Sequence, residues 1–322
     1  MRKKKHSRFL ITGVSGYWGA ALVRSFSGEK PPEKLVGIDV KKPARRRPLL
    51  DFRRADVRDP GLRKTLESER IDTVVHLAFA LNVFSPDRKI RDVNIVGTRN
   101  LLDCCVKAGV RKFVLASSTT VYGAFPENDE PFTEDVPARM TQGLFYTRDK
   151  VEIEDMVEEY RRNHGDTRFV IIRPSVITGP SMGNILSFLL RVVRLIPAPV
   201  FQNPPLQFVH EDDLARATRL LMERECEGIY NVTGDGGVPY RDVIHICGGT
   251  PVLVPRGILA GAARRIERLR LTPPIAGFVD LISYPWEVSN GKIKRDFNFA
   301  FRYTSREALL EFARRIPGGA RG

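Results

Sequence analysis

Short runs of β-branched and aliphatic residues alternate with longer stretches in which apolar residues recur every three or four positions. Runs such as Phe9-Leu10-Ile11, Thr73-Val74-Val75 and Phe113-Val114-Leu115 are apolar at consecutive positions. A strand reads this way when both of its faces are covered. The pattern predicts strands at 8–12, 34–39, 73–77, 112–116 and 168–173, with helices at 18–27, 60–69, 91–108 and 146–163 between them. Each such helix has one apolar stripe to bury. Strand and helix repeated in this order predict an α/β fold, a doubly wound parallel sheet with helices on both faces.

Beyond Pro174 the rhythm breaks into irregular, proline-rich sequence around Pro197, Pro199, Pro204 and Pro205. A short strand at 207–209, a helix at 212–223 and a strand at 228–232 are expected to rejoin the sheet. The expected division is a main domain at 1–174, joined again by 206–234, and a smaller C-terminal lobe made of 175–205 and 235–322. The basic helix expected at 260–271 belongs to that lobe, and Phe297, Phe299 and Phe301 read as lobe packing.

The 322 residues carry a formal net charge of +14 and four cysteines. Cys104, Cys105, Cys226 and Cys247 lack metal or disulfide-framework spacing and read as reduced thiols in a cytoplasmic protein. The apolar runs fall short of the ~20 residues a membrane helix needs, so no membrane span is expected. Basic clusters at 3–5, 41–42, 45–47, 53–54, 161–162 and 264–270 are scattered and carry no interleaved aromatic platform. Solvated faces that attract phosphorylated ligands explain them better than nucleic acid does.

At the first strand-to-helix turn stands Gly13-Val14-Ser15-Gly16-Tyr17-Trp18-Gly19. Glycines there permit a tight turn, and a helix N-terminus offers N–H groups to a pyrophosphate. Asp39 ends the next strand, where a carboxylate accepts hydrogen bonds from an adenosine ribose and repels a 2′-phosphate. This favours NAD, while Lys41, Lys42 and Arg45 to Arg47 leave NADP open. Farther along, Tyr146 and Lys150 lie one helical turn apart. A phenol has a free pKa of ~10, and a neighbouring cation favours its phenolate. Ser118, in Ser117-Ser118-Thr119-Thr120-Val121-Tyr122-Gly123, can supply a hydroxyl to the reacting oxygen. Ser118, Tyr146 and Lys150 are the candidate catalytic residues. No metal is expected.

Together these residues resemble the extended short-chain dehydrogenase/reductases, the NAD-dependent epimerase/dehydratase family, over about 9–232. The resemblance implies a Rossmann fold, NAD, a small-molecule substrate such as a nucleotide sugar, and a homodimer through 91–108 and 146–163. It implies a cofactor site built from Gly13, Ser15, Gly16, Tyr17, Trp18, Gly19 and Asp39. Also in that site are Asp56-Val57, Leu77-Ala78-Phe79, Asn94, Ser117, Tyr146, Lys150 and Pro174. His76 reads as a hydrogen-bonded core residue, and Asp212-Asp213 as a cap for the helix that follows.

Sugar 4,6-dehydratases of this family carry Asp-Glu where this chain has Thr119-Thr120, so the resemblance points to epimerases instead. Two departures stand against a nucleotide sugar. Ser175-Val176 occupies the place of an Asn, and Leu206 that of a phosphate-binding Arg, for which Arg191, Arg194 or Arg256 are candidate substitutes. The apolar residues Ile185, Leu186, Phe188 and Leu189 fit the alternative, a dehydrogenase or reductase of a non-nucleotide alcohol or ketone. A non-catalytic cofactor- or RNA-binding protein on the same fold is a third reading.

Overall fold

Alternation along each central strand sends successive side chains to opposite faces, and both faces are covered. A computed structural model describes residues 7–27, 31–80, 88–128, 131–139, 145–182, 195–269, 276–316 and 319. Ile185, Leu186, Phe188, Leu189, Arg191, Arg194 and the basic run at 3–5 lie outside the described residues. Seven strands form the main sheet: β1 (Arg8–Thr12), β2 (Lys34–Asp39), β3 (Asp51–Arg54), β4 (Thr73–His76), β5 (Lys112–Ala116), β6 (Arg168–Pro174) and β7 (Gly228–Val232). Their order is β3-β2-β1-β4-β5-β6-β7, every pair parallel.

The helices are α1 (Tyr17–Ser25), α2 (Leu62–Ser68), α3 (Gly97–Lys107), α4 (Phe145–Asn163) and α5 (Glu211–Glu223). Phe9 and Ile11 share a core with Leu22 of α1 and Leu214 and Leu221 of α5. Leu10, one residue out of phase, joins Leu66, Leu101, Val157 and Phe169 on the opposite face with α2, α3 and α4. This is the doubly wound parallel sheet expected from the pattern.

Three differences carry information. β3 escaped the pattern because Asp-Phe-Arg-Arg has no apolar run; among the described residues it pairs only with β2, at the sheet edge, where polar side chains stay wet. The helix expected at 91–108 is instead a helical turn, Arg88–Arg91, a π-helical turn, Asp92–Val96, and then α3. The strand expected at 207–209 does not rejoin the main sheet. Phe208–His210 pairs in parallel with Val176–Thr178 as a separate ribbon, whereas β7 extends the sheet beside β6 as expected.

Farther on, Leu195–Pro199 pairs in parallel with Thr250–Val254, and the basic helix runs Arg256–Arg268. Phe297, Phe299 and Phe301 pack not within a lobe but against the cluster that holds Phe9, Ile11 and Tyr230 of the main sheet. No described helix is long and apolar enough to cross a membrane.

Candidate active site

The strand order reverses between β1 and β4, so the loops leaving their carboxyl ends diverge and open a crevice. Gly13 enters it with φ +69°, and a Cβ there would stand 2.6 Å from the Ala78 nitrogen. A Cβ on Gly19 would stand 2.5 Å from the Gly13 carbonyl oxygen, so the loop folds directly onto the start of α1. That helix begins at Gly16 with no side-chain cap and no acidic residue in its first turn. Its first N–H groups therefore have no side-chain competitor for an anion.

Asp39 stands beside this loop. Its carboxylate accepts hydrogen bonds from the backbone N–H groups of Ser15 and Lys41, both at 3.0 Å. Tyr17 lies half-buried near Tyr146 and Glu211, and burial pushes its phenol well above the usual range. The Trp18 indole points into the core and donates to Thr218 Oγ1 at 3.1 Å, leaving only its backbone to the loop. Asp56 is held by Arg58, whose Nη2 lies 2.7 Å from Asp56 Oδ2. Val57 packs so closely on Gly97 that a Cβ there would meet Val57 Cγ2 at 2.5 Å.

At the end of β4, Leu77 N–H donates to the Thr12 carbonyl at 3.2 Å, and Ala78 N–H to Thr12 Oγ1 at 3.2 Å. Asn94, in the π-helical turn, grips Ala80 twice: its Oδ1 accepts from Ala80 N–H at 2.8 Å and its Nδ2 donates to the Ala80 carbonyl at 3.1 Å. His76 is a core residue. Thr98 Oγ1 donates to the Asn94 carbonyl at 2.5 Å, so it accepts from His76 Nε2 at 2.9 Å. Thr12 Oγ1 accepts from Ala78 and donates to His76 Nδ1 at 2.7 Å. Burial, then repulsion from Lys150, hold this neutral ring down at a pKa of about 3.

Ser118, Tyr146 and Lys150 converge from β5 and α4. Ser118 Oγ caps the short helix Thr119–Tyr122 by accepting from Thr120 N–H at 3.2 Å, and it also accepts from Thr120 Oγ1 at 3.0 Å. Burial raises the Tyr146 pKa, and a hydrogen bond with Ser118 partly offsets this. Lys150 is buried; its Nζ donates to the Ala116 carbonyl at 2.6 Å and lies 3.9 Å from the centre of the Phe79 ring. Desolvation pushes its pKa down to about 7 against the pull of Glu154 and Asp149. Phe79 packs edge-on to Tyr146 with ring centres 5.4 Å apart. Ser117 and Ser175 place buried hydroxyls, without partners among the described residues, at the ends of β5 and β6, and Pro174 closes β6.

Sequence reasoning missed two carboxylates. Asp149 precedes Lys150 and is bound by Arg91 at 2.9 Å. Glu154 follows Lys150 by one turn and forms a buried pair with Arg173 at 2.5 Å. The available signals were a carboxylate four residues after a lysine and an arginine inside an apolar strand. The capping role expected of Asp212 and Asp213 is also corrected. His210 caps α5, while Asp212 pairs with Arg24 at 2.9 Å and Asp213 accepts from the backbone of Arg302 and Tyr303.

Residues 9–233 match the model of the NAD dependent epimerase/dehydratase family. The chain belongs to that family. An uncharacterized protein of Mycobacterium tuberculosis is 30% identical over 255 residues, covering 76% of this chain and 67% of its own length. A dTDP-glucose 4,6-dehydratase of Streptomyces griseus is 27% identical, covering 74% of this chain and 76% of its own. In fold, the chain is similar to Thermus thermophilus UDP-glucose 4-epimerase, crystallised with NAD. The TM-score is 0.74 at 22% identity, covering 95% of this chain and 98% of that one.

The residues that stand in place of the expected Asn and Arg are part of a packed apolar cluster. Val176 and Leu206 both pack against the cluster of Met182, Phe208, Leu309 and Phe312. Arg256 is engaged by Asp280 at 2.6 Å and stacks on Tyr284.

Proposed function

We propose that this protein is an NAD-dependent epimerase, or a closely related oxidoreductase, that acts on a sugar hydroxyl or ketone, with a nucleotide sugar as its substrate. The observation that carries this reading is the convergence of Tyr146, Ser118 and Lys150 beside the glycine loop of α1.

The residues present fit a dinucleotide. The loop Gly13–Gly19 and the uncapped start of α1 suit a pyrophosphate, and Asp39 suits an adenosine ribose. Asp56 and Val57 would border the adenine, and Leu77 to Phe79, Ser117, Lys150 and Pro174 would border the nicotinamide half. When bound, NAD would accept a hydride and, in an epimerase, return it to the other face of the ketone. Tyr146 Oη would take the proton of the substrate hydroxyl and later restore it. Ser118 Oγ would hydrogen-bond the same oxygen. Lys150, as the ammonium, would hold Tyr146 as phenolate. Four unbridged cysteines support a reducing, cytoplasmic setting, and the family resemblance supports a homodimer through α3 and α4.

Tyr146→Phe should lower turnover by roughly 10³-fold or more while NAD still binds. Isomerisation of UDP-galactose in a coupled assay, with calorimetry for NAD, tests both; a fully active variant would refute the assignment. Ser175-Val176 and Leu206, where an Asn and a phosphate-binding Arg were expected, support one second reading, a net dehydrogenase of a non-nucleotide alcohol. Substrate-dependent accumulation of NADH, rather than isomerisation without it, would select that reading.

A further inference from the structure

Asp149 is only 5% exposed, unusual for a carboxylate, yet it precedes Lys150 on a helix that is wet along its other side. One residue of helix turns a side chain by about 100°, so Asp149 lies to one side of Lys150, toward the turn that carries Asn94. Its Oδ1 accepts from Arg91 Nη1 at 2.9 Å and from Arg148 Nη2 at 3.0 Å. Its Oδ2 accepts from Asn94 Nδ2 at 3.3 Å. Asn94 holds Ala80 by both its N–H and its carbonyl, and the neighbouring Phe79 covers Lys150 and Tyr146. These contacts close a circuit from α4 through the π-helical turn and the 78–80 loop back to the proton-transfer pair.

We propose that Asp149 is a positioning residue: its carboxylate clamps the π-helical turn and the 78–80 loop onto α4 and supplies the counter-charge that keeps Lys150 an ammonium. An amide or hydroxyl in its place would keep one hydrogen bond to Asn94 and lose the charge. Other charges face the two groups. On the Asp149 side are Arg91, Arg148 and Glu152, the last bound to Arg91 at 2.5 Å. Lys150 is flanked by His76 and by Glu154, which is already engaged by Arg173. Asp149 is thus the carboxylate tied to the cofactor-side loop, while Glu154 is tied to β6.

The proposal rests on reading Lys150 as the cation of the active site, and the test separates the two. Affinity for NADH, followed by its fluorescence from mildly acidic to mildly alkaline pH, reports Lys150 without any substrate. Affinity should fall as pH rises through the Lys150 ionisation. Asp149→Asn should move the midpoint down by about one pH unit, because the remaining charges favour the ammonium less. Arg91→Met should move it up, because Asp149 then keeps only Arg148 of its two cationic partners. Asp149→Glu should restore the wild-type midpoint.

A lowered melting temperature in Asp149→Asn with an unmoved midpoint would overturn the proposal, as would both variants shifting in one direction. Should Asp149→Asn not fold, Arg91→Met decides alone, since Arg91 is 37% exposed and tolerates replacement. Lys150→Met should bind NADH without the pH dependence. If the dependence persists there, the reading of Lys150 itself fails.

Discussion

At the scale of single residues, environment decided more than identity. His76 and Lys150 both sit under the sheet's end, and burial lowers both, to about 3 and about 7. For His76 the sign is definite. Its folded pKa lies below the unfolded one, so the unfolded chain takes up the proton first as pH falls. Its contribution is present above the unfolded value of 6.5 and is lost below it, by about 3 kcal/mol near pH ~4. Urea unfolding at neutral and acidic pH should therefore show a smaller acid loss in His76→Asn than in the wild type. Equal losses would mean that another group carries the acid sensitivity. Sequence spacing named Tyr146, Lys150 and Ser118, because a helical turn and a strand end are local features. The spacing of Glu154 after Lys150 hinted at a partner, but nothing local said which way Asp149 or Glu154 would turn.

Among the elements, strands covered on both faces were the most legible, since β1, β2 and β5 are continuous apolar runs. The edge strand β3 and the π-helical turn were not, because each is defined by a neighbour rather than by its own period. The pairing of β6 with α4 shows the energetic side of this. Arg173 and Glu154 are 2% and 4% exposed, so neither charge is solvated. Removing one partner leaves the other buried and unpaired, at a cost of about 3–5 kcal/mol. Arg173→Met and Glu154→Gln should each destabilise by that amount in urea titrations. The double variant Arg173→Met with Glu154→Leu should recover most of the loss. Additive losses would show that packing, not charge, holds the pair.

For the whole molecule, the stretch from Ile293 to Phe301 completes the main core, while Leu309 and Phe312 of the last described helix pack in a separate cluster. Ile293 and Phe299 are buried in the main core, and the backbone of Arg302 and Tyr303 is tied to the fully buried Asp213. A chain ended after Asn290 should lose cooperative melting and bind a hydrophobic dye. A sharp transition near that of the full chain would contradict this. Parts of the basic clusters are locally neutralised, since Arg53 pairs with Asp51 and Arg161 with Glu158, which leaves the net charge itself unchanged. Local periodicity and glycine spacing in the sequence alone determined the layered sheet, the tight glycine turn into α1 and the one-turn spacing of Tyr146 and Lys150, because each depends on residues within a few turns of one another. Only the tertiary structure decided that Phe208–His210 leaves the sheet, that Phe297 to Phe301 enter its core, and that Asp149 closes on Asn94 and Arg91. Those contacts join residues far apart in the chain, and packing rather than spacing selects their partners.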